Sequence, residues 1–398
     1  MVMARKAVAE TFDRVVQHGR GLKVPSDALR RALDAVKPAC RADFPASAPG
    51  SVLVSPLGVK CVSRDLTIFA ALHSAERGAD ESFAVPFARL HAIARECSGN
   101  VSIRVGENSV EFRAGASCWT LGKQDPSVVD SRDCGLVPGG DGEKVTAVCR
   151  LPADQFSRCL SCVLPVAGSS DASSRWGGVK IETTDSSDGE DKVVHFTATD
   201  GRRLHTCSAT FEQAVDDCSA LITAEAAKVV CLLAAKCSDA VQVCLGAAGS
   251  VVFTIGDVSV RATQLAHSFP KWREVIPSRR PNPTTVAVAE MLTAVRQAAI
   301  VTSEASKAVA FSFNGKISLR GRSAEYGESA IEVVPIAHGC TAKVWLDPRY
   351  VADFLSCVAS IDASATVSID AVNAEAAVVL SYDTATAVVM PMEGDSGK

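Results

Sequence analysis

The chain has 398 residues, 47% hydrophobic, 22% charged and only 5% aromatic, with a formal net charge of −4. This composition excludes a disordered or collagen-like chain, and it lacks the strong basic excess of a protein that holds nucleic acid by charge alone. No apolar run approaches the roughly 20 residues that span a bilayer. The basic start, Met1-Val2-Met3-Ala4-Arg5-Lys6, leads into no apolar stretch, so no secretion signal is predicted.

In chain order, the first predicted element after a basic arm (Arg5, Lys6, Arg14, Arg20, Lys23) is a helix capped by Ser26, with Leu29, Ala32, Leu33 and Val36 on one face. A second helix carries Phe87, Leu90 and Ala94. Alternating strands follow at Val101–Val105 and from Ser109 to Phe112. Asp125 to Lys144, rich in Gly and Pro, reads as a linker. Phe156, Cys159, Leu160 and Val163 then mark a third helix, and Val193 to Thr199 a strand. Val229, Leu232 and Leu233 mark a fourth helix, with strands at Val241 to Leu245 and Val251 to Ile255. Pro277-Ser278-Arg279-Arg280-Pro281-Asn282-Pro283 continues neither a helix nor a central strand. Beyond it come a helix with Met291, Ala294, Val295 and Ala298, a strand Ala308 to Phe313, and a helix with Val351, Phe354, Leu355 and Val358. Strands at Thr366 to Ile369 and Val378 to Leu380 complete the pattern.

Helix plus strands, then helix plus strands, thus occurs three times, an order that a triplicated module produces and that three unrelated α+β domains can share. Fifteen cysteines are scattered, odd in number, and several sit in apolar periodic segments (Cys159, Cys231, Cys357), which predicts reduced thiols in a cytosolic protein rather than a disulfide framework. Cys159-Leu160-Ser161-Cys162 is one C-x-x-C without a second pair at ligand spacing, so no metal site is predicted.

Three local motifs choose between these readings. They are Thr199-Asp200-Gly201-Arg202-Arg203-Leu204 at a strand end, Phe269-Pro270-Lys271-Trp272-Arg273-Glu274-Val275-Ile276-Pro277, and Val388-Val389-Met390-Pro391-Met392. In this order, spread over a likeness that runs from about residue 22 to 392, they resemble the bacterial DNA polymerase sliding clamps, the beta subunit of the polymerase III holoenzyme. The resemblance implies an α+β fold of three similar clamp domains in tandem (22–143, 144–280 and 281–398, after an arm of 1–21), with helices lining a ring and antiparallel sheets outside. It implies a head-to-tail homodimer that encircles duplex DNA without reading sequence, a non-catalytic processivity factor in the cytoplasm at the nucleoid. No cofactor is implied, and no membrane partner. The implied partners are the replicative polymerase's catalytic subunit, the clamp loader and repair polymerases.

Carried over to this sequence, the resemblance places a partner-peptide groove at Thr199, Gly201, Arg202, Arg203, Leu204, Pro270, Val275, Val388, Met390, Pro391 and Met392. Looser alignment adds Trp176 and Val378. Apolar walls with flexible thioethers suit Leu or Phe anchors from several partners, and Arg203 is expected to offer its fork to a peptide carbonyl or carboxylate. The subunit joint falls on Trp119 and Leu121 of the segment Ser117-Cys118-Trp119-Thr120-Leu121, with Ile300 and Val301 as counterpart. The DNA-facing bases are Arg30, Arg31, Lys37, Arg41, Arg89, Arg95, Arg158, Lys228, Lys236, Arg296 and Arg349. Against eight acids on the same helices they leave a small positive excess in an acidic chain. A closed ring needs no more, since topology prevents escape and tight phosphate contacts impede sliding.

Two departures stand out: Glu274 where the family often carries a base, and the acidic tail Glu393-Gly394-Asp395-Ser396-Gly397-Lys398. They keep open a clamp-like paralogue with altered or lost partners. An enzyme that uses Asp200 with His205 or His195 is the other alternative, although Asp200-Gly201 is more simply a turn.

Overall fold

The computed structural model describes residues 21–40, 50–72, 82–130, 145–168, 176–185, 192–211, 218–246, 249–278, 282–302 and 307–393. Arg41, most of the basic arm, residues 131–144 and 279–281 of the linkers, and the tail from Gly394 lie outside the described residues. The chain divides into two compact units, 1–144 with 252–262, and 145–251 with 263–398.

One local unit recurs six times: a short strand runs directly into a helix. The pairs are Leu22–Pro25 with α1 (Ser26–Val36), Phe83–Pro86 with α2 (Phe87–Glu96), and Val145–Pro152 with α3 (Ala153–Val163). Ser219–Ile222 leads into α4 (Ala224–Ala234), Thr284–Ala287 into α5 (Val288–Ala299), and Lys343–Leu346 into α6 (Pro348–Ile361). Extended backbone at Pro25, Pro86 and Pro152 makes the first three junctions, none with a side-chain cap. The predicted Ser26 cap is therefore corrected. Ser26 is buried inside the first turn and its N–H is held by the Gly99 carbonyl at 2.8 Å, because the strand itself delivers the chain at the helical angle. Side-chain caps do form at Thr223, whose Oγ1 accepts from Ala226 N–H at 3.1 Å, and at Asp347, whose carboxylate accepts from Arg349 N–H at 2.9 Å.

In the first unit α1 packs on α2, burying Leu29, Leu33 and Leu90, and His91 Nε2 meets Asp34 Oδ1 at 2.7 Å across the pair. A four-stranded antiparallel sheet runs Leu22–Pro25, Asn100–Val105, Ser109–Ala114, Ser117–Gly122. The alternation of Val101, Ile103, Val110 and Phe112 with polar residues gives it one buried face. A second sheet begins Phe83–Pro86, Ser51–Val54, Gly58–Val62, Leu66–Ala71 and takes in Val258–Thr263, where Val260 pairs with Ile68. Cys40 and Cys61 form a disulfide there, which corrects the expectation of thiols throughout. The turn Lys37–Ala39 brings Cys40 over the strand Gly58–Val62, a juxtaposition that sequence spacing does not carry.

In the second unit α3 packs on α4 and on α6, and α5 on α6. An eight-stranded antiparallel sheet runs Ser219–Ile222, Val179–Asp185, Lys192–Thr199, Arg203–Phe211, Ala385–Val389, Val378–Tyr382, Thr366–Asp370, Thr284–Ala287. Its middle joins segments far apart in the chain, with Leu204 opposite Val388. Ala385–Val389 is buried along its whole length, as a strand covered on both faces must be. A four-stranded sheet runs Gly327–Val333, Lys316–Ser323, Val309–Asn314, Lys343–Leu346. The expected α4 face is half wrong: Val229 is buried, but Leu232 is 54% exposed and Val230 and Cys231 point inward instead. The helix is apolar almost all round, so spacing alone does not choose its face.

Candidate functional site

The first motif folds as a tight turn between the strands Lys192–Thr199 and Arg203–Phe211. Thr199 Oγ1 donates to the Arg203 carbonyl at 2.7 Å and accepts from Gly201 N–H at 3.1 Å. Asp200 Oδ1 accepts from the N–H groups of Arg202 and Arg203, both at 3.0 Å. Gly201 takes φ +85°, and a Cβ there would come within 3.3 Å of the Trp176 indole. The backbone angle calls for glycine, and a side chain there would also press on the ring lying against it.

The third motif closes the opposite side. Val388 pairs with Leu204, and Val389 pairs with both Arg203 and Val378. Met390 N–H donates to the Arg202 carbonyl at 3.0 Å, and Met392 N–H to the Trp345 carbonyl at 2.8 Å, which pins the segment on either side of Pro391. The second motif supplies a short 3-10 turn, Trp272–Val275, begun by Trp272 N–H donating to the Pro270 carbonyl at 2.8 Å. Leu204, Trp272 and Val388 meet as one buried cluster, with Phe269, Ile276 and Ala377 packed against it. Around this floor three apolar side chains stay open to solvent: Trp176 (37% exposed), Met390 (42%) and Val275 (45%). Pro270, Pro391 and Met392 are half-buried, and Arg202 is exposed at the rim. Thr199 and Val378 are buried.

Trp272 belongs to the second motif but lies outside the expected site residues. Its indole N–H donates to Glu182 Oε2 at 3.1 Å, Arg273 Nη1 donates to the same oxygen at 2.8 Å, and the Arg273 guanidinium lies 4.2 Å from the ring centroid. Burial opposes ionisation of Glu182, yet these two donors and the charge of Lys180 hold its carboxyl below the usual range. The His195 ring centroid lies 5.5 Å from that of Trp272, and burial, with the Arg273 charge, pushes this histidine down to about 4.

Arg203 does not play the expected role. Nε donates to Asp200 Oδ2 at 3.0 Å, Nη1 to Asp353 Oδ2 at 2.6 Å and Nη2 to the Pro165 carbonyl at 3.1 Å, while the guanidinium lies 4.3 Å from the centre of the Tyr350 ring. It is 9% exposed, a fastener of the turn to α6 rather than a free fork. Asp353 lies 150 residues away in the chain, and nothing local signals the pair. The acid–base alternative fares no better: the Asp200 carboxylate is engaged by its own turn, and His205 is fully buried, donating to the Cys162 carbonyl at 2.8 Å. Among the described residues no group of three or more His, Cys, Asp or Glu is arranged to hold a metal ion.

Of the bases expected to face DNA, Arg30, Lys37, Arg89, Arg95, Lys228 and Lys236 are exposed and enter no ion pair among the described residues. Arg31 pairs with Asp27 at 2.8 Å, Arg158 with Asp383 at 3.3 Å, and Arg349 with Asp347. Arg296 donates to Ser356 Oγ at 3.2 Å. Trp119 and Leu121 are half-buried on one face of the edge strand Ser117–Gly122. At the end of α5, Ile300 is 76% exposed and Val301 half-buried.

No protein-family model matches the chain. Solved structures do. A DNA polymerase sliding clamp from Pseudomonas aeruginosa superposes with a TM-score of 0.82 at 18% identity, over 95% of this chain and all of that one. The DNA polymerase III beta subunit of Thermotoga maritima gives 0.79 at 15% over 94% and 99%, and the Bacillus subtilis sliding clamp 0.79 at 17% over 95% and 100%. The chain therefore has the fold of the DNA polymerase III beta sliding clamps, at an identity so low that the likeness speaks for the fold alone.

Proposed function

We propose that this chain is a processivity factor of a replicative DNA polymerase. In this reading two copies join head to tail, each contributing clamp domains bounded near residues 143 and 280, and the closed ring encircles duplex DNA. The exposed bases of the helices meet phosphates loosely, so that the ring slides. The edge strand Ser117–Gly122 of one copy, with Trp119 and Leu121, takes the Ile300 and Val301 region of the next, which removes a free edge that would otherwise aggregate. The groove takes an apolar peptide segment from the polymerase catalytic subunit, from the clamp loader and from repair polymerases, and the protein works in the cytoplasm at the nucleoid. It carries out no chemistry of its own.

One observation carries this reading. Three motifs from distant parts of the sequence meet on a single floor of Leu204, Trp272 and Val388, rimmed by open apolar side chains. Apolar surface held open on a rigid base is what an anchor-type peptide needs. A labelled peptide with adjacent Leu and Phe anchors tests it by fluorescence anisotropy. Binding to the wild-type chain that is lost in both Met390→Ala and Gly201→Val supports the groove; binding unchanged in both contradicts it.

Exposed Glu274, 3.4 Å from Lys271 and beside open Val275, favours a second reading, a paralogue with altered partners. A chain that forms the ring but binds no such peptide, while Glu274→Arg restores binding, would speak for it.

A further inference from the structure

Away from the groove, three thiols converge in the core of the second unit. Cys159 and Cys162 stand one turn apart on α3, and Cys207 rises from the strand Arg203–Phe211 beneath them. The sulfurs of Cys159 and Cys207 are 3.3 Å apart, in direct contact, and both residues are essentially fully buried. Thr384 Oγ1 lies 3.8 Å from the Cys207 sulfur. A narrow fissure with about 150 Å³ of empty space reaches Cys207 and Cys162 and is walled by Tyr382 and Thr384. Arg158 and Asp383 also line it, joined by an ion pair of 3.3 Å whose members are 29% and 53% exposed. The fissure does not seat a water at rest. None of these groups belongs to the peptide groove or to the sheet edges.

We propose that Cys207 and Cys159 are a peroxide-oxidisable dithiol that closes into a disulfide between α3 and the strand Arg203–Phe211. The environment assigns the roles. Contact with the Cys159 and Cys162 thiols, aided by Thr384 and the Arg158 charge, holds Cys207 below the ordinary thiol range and pushes Cys159 above it. Of the two sulfurs in contact, Cys207 borders the fissure and Cys159 does not, so Cys207 is the one that meets peroxide, as the thiolate. It attacks one oxygen of hydrogen peroxide; the O–O bond breaks, hydroxide leaves and takes up a proton, and Cys207 becomes a sulfenic acid. The Cys159 sulfur, already in contact, attacks the Cys207 sulfur. The S–O bond breaks, and the hydroxyl leaves with the Cys159 proton as a second water. Two thiols are oxidised by two electrons and one peroxide is reduced to two waters. Gating by the ion pair makes the reaction slow compared with a solvent-facing cysteine.

The test uses the full-length reduced chain titrated with hydrogen peroxide. Thiols are counted in denaturant, and peptides are mapped under non-reducing conditions by fragment mass spectrometry, which locates the bond without any variant. The expected result is a Cys159–Cys207 cross-link that dithiothreitol reverses, in addition to the Cys40–Cys61 bond, and a dimedone adduct on Cys207 when Cys159→Ser blocks resolution. Asp383→Asn leaves the core intact and keeps a side chain tolerant of the φ of +48° at that position, so it opens the mouth alone and should speed the cross-link several-fold. Cys207 still reduced at the end point of the titration, long after exposed Cys118 has reacted, or a bond to Cys162 instead of Cys159, would overturn the proposal.

Discussion

The turn Thr199–Leu204 and the edge strand Ser117–Gly122 are both proposed contact surfaces, and they are built in opposite ways. Around the turn nearly every polar group is engaged internally: Thr199, Asp200 and Arg203 hold the loop, and Leu204 lies under it in a closed cluster with Trp272 and Val388. Only side chains such as Trp176 and Met390 are left open. The edge strand is half-buried at best, pairs on one side only, and offers main-chain groups together with Trp119 and Leu121. A partner of the first surface inserts a side chain into a preformed site, whereas a partner of the second adds a strand. Stability and association should therefore separate: damage to the turn unfolds the second unit, and damage to the edge leaves a folded chain that no longer assembles.

Five experiments break or sharpen that contrast, in descending size. Leu204→Ala should cost about 3 kcal/mol in denaturant unfolding, because the floor cannot collapse around the lost side chain. Acid should weaken the same region by nearly as much. His205 is fully buried, its Nε2 has no partner among the described residues, and burial first of all sets its folded value at about 4. A free histidine titrates near 6.5, so between pH 6.5 and 4 the unfolded chain binds more protons. Stability is complete above that window and falls through it as pH drops, by up to about 3 kcal/mol for this group; His205→Gln should flatten the slope. Arg203→Met should cost about 2 kcal/mol, less than for a wholly buried pair because Asp200 and Asp353 keep partial access to water. Trp119→Ala should change stability by less than about 1 kcal/mol, yet shift the light-scattering mass from dimer to monomer. Met390→Ala should be the mildest for folding, within about 0.5 kcal/mol, while peptide affinity in anisotropy drops about tenfold. A Trp119 variant that unfolds, or a Leu204 variant as stable as wild type, would erase the contrast.

Much of this was legible in the sequence. The apolar spacing of α1, α3, α5 and α6 matches their buried faces, since each has one apolar stripe and a polar remainder. The turn and Val388–Met392, both marked as motifs by the sequence, lie on adjacent strands, with Leu204 opposite Val388. What was missed depends on partners that no local pattern announces. Arg203 looked like an offered cation because its partners, Asp353 and the Pro165 carbonyl, come from distant helical turns. Trp272 was visible in its motif, but only the fold shows Glu182 accepting from its indole, 90 residues away. Cys40 and Cys61 are paired by a turn that carries no spacing signature, and α4 hid its inward face by being apolar all round.

Topological retention on DNA tests the central claim most directly. The chain, whose mass of 41.6 kDa should double in light scattering, is loaded by an extract of its own source cells onto nicked circular DNA and freed of unbound protein by gel filtration in high salt. The account predicts that it stays with the circle and is released when one restriction cut supplies ends. Equal retention on circular and cut DNA, or release from both on raising the salt, would mean that charge rather than closure holds it, and would contradict the account.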